Sequence, residues 1–199
     1  MVLTAAQIVS FDDTSPPPGA SPWVGEPEQA RRIEIVEPDA AWPLLFAAVR
    51  DRILGTLDDR ALRIDHVGST AVPSLAAKPV IDVDLTVADT DDEDAYVPAL
   101  EAAGFTLRVR EPWWLGHRML VASEPAVHLH VWPLDSPEAA RHRLFRDHLR
   151  ADAADRALYA RVKREVAADG LMSAYNERKQ AAVRAIYARA FAAAGLLPG

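Results

Sequence analysis

The feature that most limits how this chain can fold is a pair of short segments, V-I-D-V-D-L-T-V at 80–87 and V-H-L-H-V-W at 127–132. On a strand, side chains two residues apart leave the backbone on the same side. Ile81, Val83 and Leu85 therefore share one face of the first segment, and Asp82 and Asp84 share the other. In the second, Leu129 and Val131 oppose His128 and His130. Both segments suit a sheet with one apolar face and one face carrying ionisable groups.

The rest of the pattern predicts a mixed α/β (α+β) fold. Residues 1–30 contain S-F-D-D-T-S-P-P-P-G-A-S-P-W-V-G-E-P-E-Q, which reads as an extended or disordered tail. Order is expected from about 31, with a short strand R-I-E-I-V, then a helix opened by Pro38 and Asp39 whose stripe is Trp42, Leu45, Phe46, Val49 and Ile53. Strands are expected at A-L-R-I-D-H-V-G, V-I-D-V-D-L-T-V, F-T-L-R-V-R, H-R-M-L-V-A and V-H-L-H-V-W, with a helix at A-Y-V-P-A-L-E-A-A-G ended by Gly104. From Ser136 the periodicity becomes helical in three successive segments. The expected organisation is thus an α/β core over 31–135 and a helical part of the same domain over 136–199.

Composition narrows the function classes. The net charge of −7 argues against a protein that grips nucleic-acid backbones non-specifically. The charge is unevenly spread: from Asp135 onward there are 12 Lys/Arg against 8 Asp/Glu, so a basic C-terminal part faces an acidic remainder. No cysteine is present, which removes disulfide scaffolds and thiolate metal sites. No apolar run approaches the roughly 20 residues that span a bilayer. The N-terminal segment lacks the basic start of a secretory signal, so a cytoplasmic location is the expectation.

Two carboxylates side by side repel, and a divalent cation resolves the conflict, since hard cations such as Mg²⁺ take carboxylate oxygens. Taken alone, Asp82-x-Asp84 is also what any sheet with one solvated face carries. The upstream Gly68-Ser69 adds to it: directly after a strand, glycine lets a phosphate approach the backbone, and the amides with the Ser69 hydroxyl can hold it. A phosphate turn on one strand and a metal pair on the next make a more specific pairing than either does alone. Lys179 is expected on the inward stripe of the last helix, where an anion would satisfy it; Lys163 has a similar setting, read as a side chain reaching past the core edge. Lys78 precedes the Asp82 strand and is placed to neutralise phosphate or pair with an acid. Arg108, Arg110 and Arg118 suit either an acidic substrate group or solvent, and the Trp113-Trp114 pair is read as pinning a loop.

Val67-Gly68-Ser69 followed by Asp82-Val83-Asp84-Leu85 resembles the signature of the nucleotidyltransferase fold superfamily. The longer string I-D-H-V-G-S-T-A-V-P-S-L-A-A-K-P-V-I-D-V, with I-V-E-P-D-A-A-W-P before it and F-R-D-H-L-R after it, is similar to the GrpB family within that superfamily. Some members are fused to dephospho-coenzyme A kinase domains, but this chain has no G-x-x-x-x-G-K-[ST], so that activity is not expected. The resemblance implies a mixed sheet with helices on one face and a nucleotide cleft on the other. It implies transfer of a nucleotidyl group from a nucleoside triphosphate to an unknown acceptor, with Gly68 and Ser69 on the phosphates and Asp82 and Asp84 on Mg²⁺ or Mn²⁺. The third carboxylate that the superfamily takes from a later strand is missing, and His130 is the expected replacement, as metal ligand or general base, ahead of His128. Two other readings stay open. One is a non-catalytic nucleotide- or anion-binding module; the other is a zinc hydrolase built on His128-x-His130 with Asp82 and Asp84, which no H-E-x-x-H or cysteine pair supports.

Overall fold

Residues 3–11, 14–26, 34–169 and 172–197 are described by a computed structural model of the chain, with backbone alone at 166, 168–169 and 172–179. Five strands form one mixed sheet: β1 (Arg63–Val67), β2 (Ile81–Val87), β3 (Thr106–Glu111), β4 (His117–Ser123) and β5 (Ala126–Pro133), in the order β1-β2-β5-β4-β3. Only the central pair, β2 with β5, is parallel. The helices are α1 (Ala5–Val9), α2 (Trp42–Leu57), α3 (Val97–Ala102), α4 (Pro137–Ala151), α5 (Ala153–Asp169) and α6 (Met172–Ala193).

The alternation in β2 and β5 divides the sheet as the sequence requires. Ile81, Val83, Leu85, Val87, Val127, Leu129 and Val131 join Trp42, Val49, Ile53 and Leu57 of α2 in one buried core with Leu100 of α3. The opposite face carries the polar residues, and α4 runs along it beside β1. A second, smaller core of Val72, Leu75, Leu149 and Ile186, with Phe145 and Tyr159 against it, ties the helical part to the loop after β1.

Two expectations are corrected. Of the strand expected at 32–36, Arg32 and Ile33 lie outside the described residues, and the remainder makes a single bridge, Val36 with Ala77. The tail expected over 1–30 is not disordered where it is described. Thr4 and Gln7 form a reciprocal cap on α1. Arg141, only 1% exposed, donates to the carbonyls of Ile8 and Ser10, and Phe11 packs on Tyr187 and Phe191. Further on, Val24 donates to the Arg108 carbonyl and Trp23 bridges Val109, so this segment covers the β3 edge. A bare edge strand invites pairing with other chains, and this segment blunts it.

Candidate functional site

Register builds the site. In the parallel β2–β5 pair, Asp82 stands opposite His128 and Asp84 opposite His130; in the antiparallel β1–β2 pair, Val67 stands opposite Asp82 and Asp65 opposite Asp84. Two carboxylates, two imidazoles and a third carboxylate from β1 thus share one face. Gly68 follows directly, at φ +66°, and a Cβ there would come within 2.9 Å of the Cβ and Cγ of Asp82. The turn and Asp82, expected to be neighbours, are in contact.

Asp82 is partly open: its side chain is 29% exposed and its Oδ1 lies 3.3 Å from His128 Nδ1. Burial would raise its carboxyl, but that hydrogen bond and the surrounding histidines outweigh it and hold it below the usual range. Asp84 is the opposite case. It is 2% exposed, it accepts the Trp132 indole N–H at 2.9 Å, and both of its oxygens meet His142 Nδ1, at 2.9 and 3.1 Å. The other nitrogen of His142 lies 3.5 Å from Glu138 Oε1. Burial pushes His142 down; the charge and hydrogen bond of Asp84, with Glu138, outweigh it and hold the imidazolium up to about 10. Glu138 in turn falls to about 2, against its own burial, through His142 and Arg141.

His130 is held from the far side. Its Nδ1 lies 3.0 Å from His117 Nε2, and His117 Nδ1 lies 2.8 Å from Glu111 Oε2. When His117 gives its Nδ1–H to the carboxylate and accepts at Nε2, the proton of His130 sits on Nδ1 and its Nε2 carries a lone pair. This carboxylate–histidine ordering fixes both tautomer and ring orientation. Burial drives His130 down to about 4, although Asp84 pulls the other way. ¹⁵N NMR at neutral pH is expected to show His130 protonated at Nδ1 alone; protonation at Nε2 would mean that the hydrogen bond between the two rings runs the other way.

On the other flank, Lys163 is buried and donates to Ser69 Oγ at 2.7 Å. Its expected role, a side chain passing the core edge, is therefore corrected: it is anchored on the Gly68–Ser69 turn. Lys179 lies on α6 with its side chain outside the described residues. Lys78 is exposed just before β2. Arg110 and Arg118 are tied to Glu93, Arg118 to Asp91 as well, and Arg108 donates to the Glu26 carbonyl, so these three are engaged within the protein. Trp114 packs edge-on against His117 and Trp132, which pins its loop.

The sequence pattern described as "GrpB protein" matches residues 32–189. The chain belongs to the GrpB family. It is 44% identical over 172 residues to a UPF0157 protein of Streptomyces coelicolor, covering 85% of this chain and 90% of that one. It is 48% identical over 135 residues to a UPF0157 protein of Halalkalibacterium halodurans, covering 68% and 69%. A dephospho-CoA kinase of Mycolicibacterium paratuberculosis is 36% identical over 191 residues, but the match covers 46% of that protein and 80% of this chain. The crystal structure of a conserved GrpB protein from Enterococcus faecalis superposes with a TM-score of 0.72 at 27% identity, covering 81% of this chain and 99% of that one.

The donor set tests the metal that the superfamily resemblance implies. Asp82, partly exposed beside the Gly68 backbone, fits one ion that also takes phosphate oxygens, as Mg²⁺ does when it binds through one or two carboxylates. A two-ion arrangement does not fit, because both Asp84 oxygens are committed to His142 and one also to Trp132. Among the described residues, three potential ligand atoms gather within 4.8 Å only at His148, Asp152 and Asp155. There Arg189 clasps Asp155 at 2.8 Å, His148 reaches it at 2.6 Å, and Asp152 Oδ1 accepts its amide N–H. That cluster works as an ion-pair network joining α4, α5 and α6. No helix among the described residues is long and apolar enough to cross a membrane.

Proposed function

We propose that this GrpB-family chain binds a nucleoside triphosphate with one divalent cation and transfers its nucleotidyl group to an acceptor. The observation that carries the reading is the contact of the Gly68–Ser69 turn with Asp82 on one side and Lys163 on the other. The turn offers backbone amides and a hydroxyl already polarised by a buried ammonium; Asp82 stands where a cation bound to the same phosphates has to be anchored. Mg²⁺ or Mn²⁺, when bound through Asp82, neutralises phosphate charge as the transfer proceeds. The acceptor oxygen bonds to the α-phosphorus, the α–β bridge breaks, and pyrophosphate leaves. The acceptor's proton passes to water by way of the His130 Nε2 lone pair. Across the turn, a cavity of about 490 Å³ lined by Trp42, Pro43, His66, Thr70, Pro73 and Arg150 has the size of a small-ligand pocket.

A second reading, nucleotide binding without turnover, is favoured by one observation: Asp84 is neutralised by the protein's own cation. Thermal shifts with each nucleoside triphosphate, with and without Mg²⁺ or Mn²⁺, test both readings when pyrophosphate release is followed in the same samples. A metal-dependent rise in Tm is expected for the wild type and is expected to vanish in Asp82→Asn. No metal-dependent shift with any nucleotide sinks both readings; binding without pyrophosphate over a wide acceptor screen leaves the second.

A further inference from the structure

Helix α4 turns a row of arginines toward β1 and the loop after it: Arg143, Arg146 and Arg150, three and four residues apart and so on one side of the helix. Two are spent on main-chain carbonyls. Arg146 donates to the His66 carbonyl at 3.0 Å, and Arg150 donates twice to the Ala71 carbonyl, at 3.0 and 2.8 Å. Arg143 differs. Its side chain is 24% exposed, it donates no hydrogen bond among the described residues, and its one ion pair is with Asp65 Oδ2 at 3.6 Å. Asp65 is already claimed by Arg63 at 2.5 Å, and Arg146 approaches it at 3.6 Å.

Three guanidinium groups therefore gather about Asp65, at the level of the sheet where Asp84 sits, and Arg146 is shared with Asp147, which takes two of its hydrogen bonds. Burial and repulsion from Arg63 hold Arg143 below the usual arginine range. A guanidinium presents a rigid fork of donors that matches a carboxylate or a phosphate. Its donors reach solvent, since no Arg143 nitrogen is both buried and without a partner, and such a fork can exchange water for an oxyanion. The position is not that of the phosphate turn, since Gly68 lies three residues, about 10 Å, further along β1 than Asp65.

We infer that Arg143 anchors a second oxyanion subsite, flanked by Arg63 and Arg146, that takes the carboxylate or phosphate group of the acceptor. The inference rests on the reading of the Gly68–Ser69 turn as the nucleotide's phosphate site, and it adds the acceptor's class: a molecule carrying an acidic group as well as the hydroxyl that is modified.

The test is the arginine Nε–Hε NMR spectrum of the full chain, titrated with inorganic phosphate and separately with succinate, each with and without ATP and Mg²⁺. Both anions are expected to shift the Arg143 signal saturably whether or not ATP is present. Arg143→Gln is expected to weaken phosphate binding at least about tenfold while ATP affinity stays within about twofold. Arg143→Lys, which keeps the charge without the fork, is expected to restore only part of the loss. A preference for phosphate over succinate, or the reverse, identifies the acidic group. The subsite is overturned if neither anion gives a saturable shift, if ATP displaces phosphate from Arg143, or if Arg143→Gln weakens ATP as much as phosphate. If ATP fails to bind while phosphate still titrates Arg143, the subsite stands and the nucleotide reading of the turn falls.

Discussion

Replacing His142 with alanine is expected to destabilise the fold by about 3–5 kcal/mol, the range found when one partner of a buried ion pair is removed. Asp84 is 2% exposed, and without His142 its carboxylate keeps only the Trp132 indole as a partner. The double variant His142→Ala/Asp84→Asn is expected to recover much of the loss, because the buried charge goes with its partner. Denaturant midpoints of the four proteins measure the coupling; no recovery in the double variant would place the cost in packing instead.

The same pair sets a pH signature. His142 sits at about 10 in the folded chain against about 6.5 when unfolded, so its contribution is fully present below pH 6.5 and is lost as pH rises toward 10. His130 and His66, both held down to about 4 chiefly by burial, act with the opposite sign: their contribution is present above pH 6.5 and is lost as pH falls toward 4. Metal-free stability is therefore expected to peak near pH 6.5, and His142→Ala is expected to flatten the alkaline limb and to shift the acid limb through Glu138 and His130.

Gly68→Ala is the second large effect. At φ +66° and ψ −165°, backbone that is essentially glycine-only, an L residue is strained by roughly 1–3 kcal/mol, and the added methyl falls on the Asp82 side chain, which backs onto the turn. The expected result is a clear loss of stability together with loss of the metal-dependent nucleotide shift. Gly68→Ala/Asp82→Gly, which opens the space again, is expected to regain part of the stability and none of the nucleotide response. If Gly68→Ala bound nucleotide normally, the contact between turn and carboxylate would not matter to binding.

Much of this was legible in the residues. The alternation of Asp82 and Asp84 with Ile81, Val83 and Leu85, and of His128 and His130 with Leu129 and Val131, fixed which face of each strand is apolar, since period two allows no other division. The GrpB string told which turn stands beside which strand. What escaped was long-range partnership. Nothing local to R-H-R-L-F-R-D shows that His142 reaches Asp84, 58 residues earlier, or that Arg143 is left over when Arg146 and Arg150 take main-chain carbonyls. His117 went unread because its significance lies in Glu111 and His130, on two different strands. Lys163 was misread because helix periodicity reports burial, not the hydroxyl 94 residues away that makes burial tolerable.

The described N-terminal segment bears on where the chain can be cut. Arg141 holds Glu138 and spends Nη1 on the carbonyls of Gln7, Ile8 and Ser10, outside the 32–189 stretch that defines the family match. A fragment trimmed to that stretch would strand a buried guanidinium two side chains from Asp84, through Glu138 and His142. The smallest piece that keeps the site's charges in balance is longer than the family's own outline.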